Sequence, residues 1–139
     1  MSKLSIHIAT FVFLLLLSAC AALRLGPPPV SENPAVLGLL EQARIEAAQN
    51  KLQSATGTVE RALRIEPRNP WLWQELAHLH LALGDHAQAE SLATRSNTWA
   101  GADRALRAAN WRLIGAARSA RGDAAGAQAA AARAAELER

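Results

Sequence analysis

The run Asn69-Pro70-Trp71-Leu72-Trp73-Gln74-Glu75-Leu76-Ala77-His78-Leu79-His80-Leu81-Ala82-Leu83-Gly84-Asp85 decides the fold. It opens on an asparagine, whose short side chain caps free helical N–H groups, and on a proline that suits the first helical turn. It closes on a glycine able to take the left-handed conformation that ends a helix, beside an aspartate able to cap the next one. The same punctuation recurs, with Asn33-Pro34 opening an earlier helix and Gly122-Asp123 closing a later one. Superimposing the two Gly-Asp turns aligns Trp73 with Trp111, Leu76 with Ile114, Ala77 with Gly115, Ala89 with Ala127, Ala93 with Ala131 and Ser96 with Ala134. The chain from Asn33 onward therefore reads as an internal repeat of helix pairs.

Composition points the same way. Alanine fills 32 of the 139 positions, while apolar residues make up 50% and aromatics 4%. A core drawn from Leu, Ala and a few Trp suits close-packed helices; Val and Ile are scarce and Tyr is absent, which argues against a sheet. The length allows one domain at most. The formal charge is +3, and the arginines alternate with acids instead of forming a block, so no nucleic-acid partner is expected.

In the segment Pro70–Gly101, Trp73, Leu76, Ala77, Gly84, Asp85 and Ala89 stand as a large, Leu, small, Gly, Asp and small pattern that resembles the tetratricopeptide repeat. The resemblance implies an all-α fold, a short α-solenoid of three helix-turn-helix units over about 36–69, 70–107 and 108–139, within a domain spanning 34–139. The first unit aligns Leu39, Ala43, Ala55, Val59, Ala62 and Pro67 with the pattern. In the third, Trp111 follows Trp73 by 38 residues, which implies an extra turn at the start of a helix from about Asp103 to Ala120. Asn50-Lys51 replaces Gly-Asp in the first turn, His80 stands where an aromatic is usual, and Gly57 sits inside a helix. The expected core is Leu39, Ala43, Leu52, Val59, Leu63, Trp73, Leu76, Leu79, Leu83, Leu92, Trp111, Ile114 and Leu137. The alanine-rich last helix, Ala124 to Glu138, has few large side chains and either packs closely, in which case Ala131 is one test of the packed face, or frays.

Ahead of the repeats, Lys3, an apolar run from Ile8 to Leu17 and the tetrad Leu17-Ser18-Ala19-Cys20 resemble a bacterial lipoprotein signal with its lipobox. That resemblance makes 1–19 a signal peptide and Cys20 the acylated first residue of the mature chain. Residues 20–33 then form the lipidated N-terminus and Pro-rich tether, in which the stretch from Arg24 to Pro34 reads as an extended spacer some 30 Å long at about 3 Å per residue. The alternative is an uncleaved signal anchor in which Cys20 is an ordinary buried residue. Ala21, in place of the aspartate that favours inner-membrane retention in the lipoprotein family, implies an outer-membrane lipoprotein facing the periplasm. Cys20 is the only cysteine, which excludes an intramolecular disulfide.

No nucleophile elbow, phosphate loop or paired-carboxylate motif is present, and no enzyme activity, small-molecule substrate, metal or cofactor is expected. His78 and His80 are two apart on a helix and point in different directions, whereas a metal pair wants a spacing of three or four. In the repeat family the first helix of each unit lines a concave groove. Carried over, the groove residues are Leu37, Leu40, Arg44, Ala47, Trp71, Gln74, His78, Leu81, Ala109, Arg112, Ala116 and Ser119, of which Leu37, Leu40, Arg44, Trp71, Gln74, His78, Leu81 and Arg112 are the candidate partner-binding residues. Trp71 and Trp73, two apart, cannot both face one core, so Trp71 is expected to be partly exposed, either as a partner anchor or as a cover stapled against Leu37 or Leu40.

The lipobox, the Pro-rich tether, the repeat register and the run Arg61–Pro70 leading into Trp71-Leu72-Trp73 resemble the repeat lipoproteins that activate bifunctional penicillin-binding proteins. The resemblance implies a membrane-anchored scaffold that binds a protein partner, a peptidoglycan synthase. Similar lipoproteins act as pilotins or assembly factors for pili and secretion complexes, and a passive structural or peptidoglycan-binding lipoprotein is a third alternative.

Overall fold

A computed structural model describes residues 30–139. The expected signal peptide, Cys20 and the tether up to residue 29 lie outside the described residues. The described chain forms six helices and no strand: α1 (Pro34–Ala48), α2 (Leu52–Ile65), α3 (Pro70–Ala82), α4 (His86–Trp99), α5 (Arg104–Ala120) and α6 (Ala124–Glu138). They pack as three antiparallel pairs, α1 with α2, α3 with α4 and α5 with α6, joined through α2–α3 and α4–α5 seams. This is the expected all-α solenoid of three helix-turn-helix units.

The helix ends follow from the local sequence. The Asn33 side chain accepts from Ala35 N at 2.9 Å, and the Asn69 side chain accepts from Trp71 N at 3.0 Å, each ahead of a proline in the first turn. Asp103 accepts from Leu106 N at 2.9 Å and starts the long α5. The turn inside each pair is one and the same device. A left-handed residue, Asn50 (φ 58°), Gly84 (φ 83°) or Gly122 (φ 81°), lets two successive N–H groups fold back onto the helix that has ended. The bonds are Asn50 N to Ala47 O and Lys51 N to Glu46 O in the first unit, Gly84 N to Leu81 O and Asp85 N to His80 O in the second, and Gly122 N to Ser119 O and Asp123 N to Arg118 O in the third. Asn50 thus does the work of glycine, because asparagine tolerates the left-handed region better than other side chains.

The two Gly-Asp turns diverge in one respect. Asp123 caps α6 by accepting from Gly126 N at 2.8 Å, but Asp85 makes no such bond to α4. Its carboxylate lies instead 3.2 Å from His80 Nδ1, the histidine in the position where the family has an aromatic.

The core is built of Val36, Leu40 and Ala43 from α1, Ala55, Val59, Ala62 and Leu63 from α2, Leu72, Leu76, Ala77 and Leu79 from α3, Leu92 and Ala93 from α4, Leu113 and Ile114 from α5, and Ala130 from α6. Trp73 is corrected from the expected core: Leu72 is fully buried, and Trp73 is only half-buried beside it. A tryptophan carries a polar N–H that wants a partner, and Trp73 Nε1 donates to Pro67 O at 2.9 Å, which holds the ring at the rim. Leu39, Leu52 and Trp111 likewise pack against the core only partly buried, and Leu83 and Leu137 are intermediate. Ala131 is exposed, with Ala130 and Ala134 buried in its stead. Its counterpart Ala93 is covered because α5 packs on α4, whereas no described helix packs on the outer side of α6.

Candidate partner-binding surfaces

The first helices of the pairs carry the expected inner face. Helices α3 and α5 pack directly on one another, while no seam of comparable extent joins α1 to α3. Leu37 (42% exposed), Arg44 and His78 reach the surface. Arg112 is exposed too, but its guanidinium is ion-paired with Glu138. Ala116 and Ser119 are exposed, and Ala47 and Ala109 half-buried.

Three of the eight candidate residues are placed differently from the expectation. Leu40 is 3% exposed and belongs to the core, so it is not available to a partner. Leu81 is half-buried and packs against the core. Gln74 turns inward: its Nε2 donates to Asn110 Oδ1 at 2.9 Å. Asn110, itself fully buried, gives its Nδ2 hydrogens to Ser96 Oγ at 2.7 Å and Asn97 Oδ1 at 3.0 Å. Ser96 Oγ then donates to Pro70 O at 2.7 Å. This closed network ties α3, α4 and α5 together and leaves both polar ends of the Asn110 side chain bonded, which is the condition for burying an amide cheaply.

Trp71 is half-buried and lines a shallow cleft with Val30, Glu66, Pro67, Arg68, Asn69 and Pro70. The chain entering the domain closes one side of that cleft. Ser31 Oγ donates to Glu66 Oε1 at 2.6 Å, and Asn69 Nδ2 donates both to Glu66 Oε2 at 2.6 Å and to Val30 O at 2.8 Å. Asn69 therefore caps α3 with its oxygen and holds the entering chain with its nitrogen. Sequence reasoning missed this clasp, because nothing in the spacing of Ser31 and Glu66 signals a contact across 35 residues.

The outer face holds a second recess. Between α2 and α4, Leu63, Leu76, Leu92 and Trp73 form the floor and Glu60, Arg64, Pro67, Gln88, Ser91 and Arg95 the rim of a cleft of about 480 Å³. The Arg95 guanidinium lies 4.5 Å from the Trp73 ring centroid, and that of Arg68 lies 5.2 Å from the Trp99 ring. Trp99 is 40% exposed.

One carboxylate is electrostatically distinct. Glu46 accepts from Thr58 Oγ1 at 2.8 Å and from Gln42 Nε2 at 3.0 Å, and the Thr58 bond first, then the Gln42 bond, hold its pKa below the usual carboxylate range. Among the described residues, no group of three or more His, Cys, Asp or Glu is placed to hold a metal ion, and no helix is long and apolar enough to cross a membrane.

Comparison with curated proteins gives no match. Among solved structures, the globular C-terminal domain of LpoP from P. aeruginosa is 41% identical with a TM-score of 0.74, covering 76% of this chain and 99% of that one. The Sgt2 domain from Aspergillus fumigatus is 25% identical with a TM-score of 0.69, over 81% of this chain and 72% of that one. The first repeat domain of Spaghetti, solved with an HSP90 peptide, shares the fold at 24% identity and a TM-score of 0.68, over 79% and 84%. A family model described as the tetratricopeptide repeat matches residues 39–110, and with the three helix pairs, their shared turn and these likenesses the chain belongs to the tetratricopeptide-repeat family.

Proposed function

We propose that this chain is an outer-membrane lipoprotein, anchored through acylated Cys20 after removal of residues 1–19, whose repeat domain binds and activates a peptidoglycan synthase of the bifunctional penicillin-binding class. The observation that carries this reading is the 41% identity to the globular domain of LpoP across 99% of that domain. It supports the resemblance to the activator lipoproteins drawn from the lipobox, the tether and the run Arg61–Pro70. On this reading the protein is a non-catalytic scaffold without cofactor. Its partner docks on the inner face at Leu37, Arg44, Trp71 and His78, with Arg112 exchanging its ion pair with Glu138 for a partner carboxylate.

The tether reading fits the clasp. With Val30 and Ser31 held on the 66–69 loop, residues 20–29 remain as the spacer from the bilayer, about 30 Å at about 3 Å per residue. The test is in-cell crosslinking and capture of the full chain from envelope extracts, beside a Cys20→Ala form, followed by glycan polymerisation assays with any synthase recovered. Recovery of a synthase whose polymerisation rate rises on adding the lipoprotein is the expected result. Pilus or secretion components in its place would move the protein to the assembly class, and a recovered synthase whose rate does not change would exclude activation.

A further inference from the structure

The cleft on the outer face, between α2 and α4 and floored in part by Trp73 and Leu76 of α3, has no part in the reading above. Its floor is apolar: Leu63, Leu76 and Leu92 are buried yet line the recess, and the Trp73 ring is half-exposed at its edge. Its rim is cationic. Arg64 stands on the α2 side and Arg95 on the α4 side, and among the described residues neither has a carboxylate within 4 Å. Arg61, one turn before Arg64 on α2, is exposed and also has no carboxylate within 4 Å. Against Arg64 and Arg95 the rim offers one acid, Glu60. Four other arginines are paired, Arg118 and Arg121 with Glu90, Arg133 with Glu136 and Arg112 with Glu138.

We propose that this cleft is a second docking surface, taking an acidic, extended segment of a protein partner that carries an apolar side chain between its carboxylates. The charge balance selects the carboxylates. The Arg95 guanidinium lies 4.5 Å from the Trp73 ring centroid and, like that of Arg64, has no carboxylate within 4 Å, so both can offer N–H donors to Asp or Glu. The recess selects the apolar residue. It is a cleft of about 480 Å³ between α2 and α4, and its leucine floor offers an anchor a flat headgroup surface would leave unused. Arg95 stacked on Trp73 is already ordered, so binding costs it less side-chain freedom than an unsupported arginine would lose.

The test uses the full chain in detergent and a labelled peptide of alternating Asp and Leu, with its Lys-Leu counterpart as control. Binding is followed by fluorescence anisotropy and located by amide chemical shifts. The acidic peptide should bind, shift amides around Leu63, Trp73 and Leu92, and weaken as salt rises, because exposed charge pairs are screened beyond about 10 Å at 0.1 M. The double reversal Arg64→Glu with Arg95→Glu should lower affinity at least tenfold, and so should the reversal of Arg64 alone, which spares the Trp73 stack and keeps the result readable if the double variant loses its fold. A charge-matched control, Lys51→Glu with Arg139→Glu, should leave it within about twofold. Absence of binding, shifts confined to the inner face, equal loss in the control, or full competition by phosphatidylglycerol vesicles, which would mark a lipid surface, would each overturn the proposal. Because the probe is a peptide, failure here leaves capture of a synthase untouched, and the converse holds as well.

Discussion

Asn110 occupies in the third unit the place that Leu72 holds in the second, one residue before the repeated tryptophan. Both are fully buried, but the asparagine must find bonds for an amide, and it finds them in Gln74, Ser96 and Asn97. Removing one partner of a buried network is costlier than the net worth of its bonds, since the groups left behind stay desolvated. Asn110→Ala should therefore destabilise the domain by about 2 kcal/mol or more in urea unfolding; a change below about 0.5 kcal/mol would mean the network is not formed. Glu46 offers a second residue-level test. Its carboxyl should titrate below the ordinary range by NMR, and Thr58→Val should bring it back toward that range. The sign follows from the depressed pKa: any stability it contributes is present above the unfolded carboxylate pKa and lost as the pH falls through the folded one.

Helix by helix, the punctuation was legible and the facing of side chains was less so. The Asn-Pro starts and Gly-Asp turns lie where the spacing puts them, because caps and left-handed residues are decided within a few neighbours. Asp85 could not be read as non-capping from its turn alone, since its choice of His80 depends on a side chain on the preceding helix. Trp73 was placed too deep because size suggested a core residue, whereas its indole N–H bonds to Pro67 at the surface and Leu72 takes the interior. Leu40 was placed in the groove by counting along a regular unit, and α1 turns that position inward. Glycine positions can be tested at the same scale. No atom lies within 4 Å of a Cβ added at Gly57, which sits inside α2, so Gly57→Ala should raise stability by about 1 kcal/mol. Gly84→Ala should lower it by about 1–2 kcal/mol, because the left-handed φ persists although space is open. On α6, Ala130→Leu should cost about 1–3 kcal/mol by overpacking, while Ala131→Leu on the exposed side should stay within about 0.5 kcal/mol. Equal effects at the two positions would contradict the register of that helix.

Across the described molecule, the core thins at its last helix. The second pair contributes three leucines from α3 and one from α4, whereas α6 buries only Ala130 and Ala134. What holds α6 in addition is Arg104, whose guanidinium donates to Leu137 O at 3.0 Å and Glu136 O at 3.3 Å, Arg118, whose guanidinium donates to Gly126 O at 3.4 Å, and the ion pair of Arg112 with Glu138. In a repeat array, local opening follows such differences in neighbour contacts. Amide exchange should accordingly be fastest in α6 and slowest in α3, and uniform protection across the six helices would contradict this gradient. The clasp at Val30, Ser31, Glu66 and Asn69 adds a mechanical meaning to the same gradient. A load entering through the chain ahead of Val30 does not reach α1 first, where it would unzip the solenoid one turn at a time. It is delivered to the loop between the first and second pairs, next to the best-packed helix, and the two hydrogen bonds that tie Val30 and Ser31 to that loop must break before α1 feels any tension.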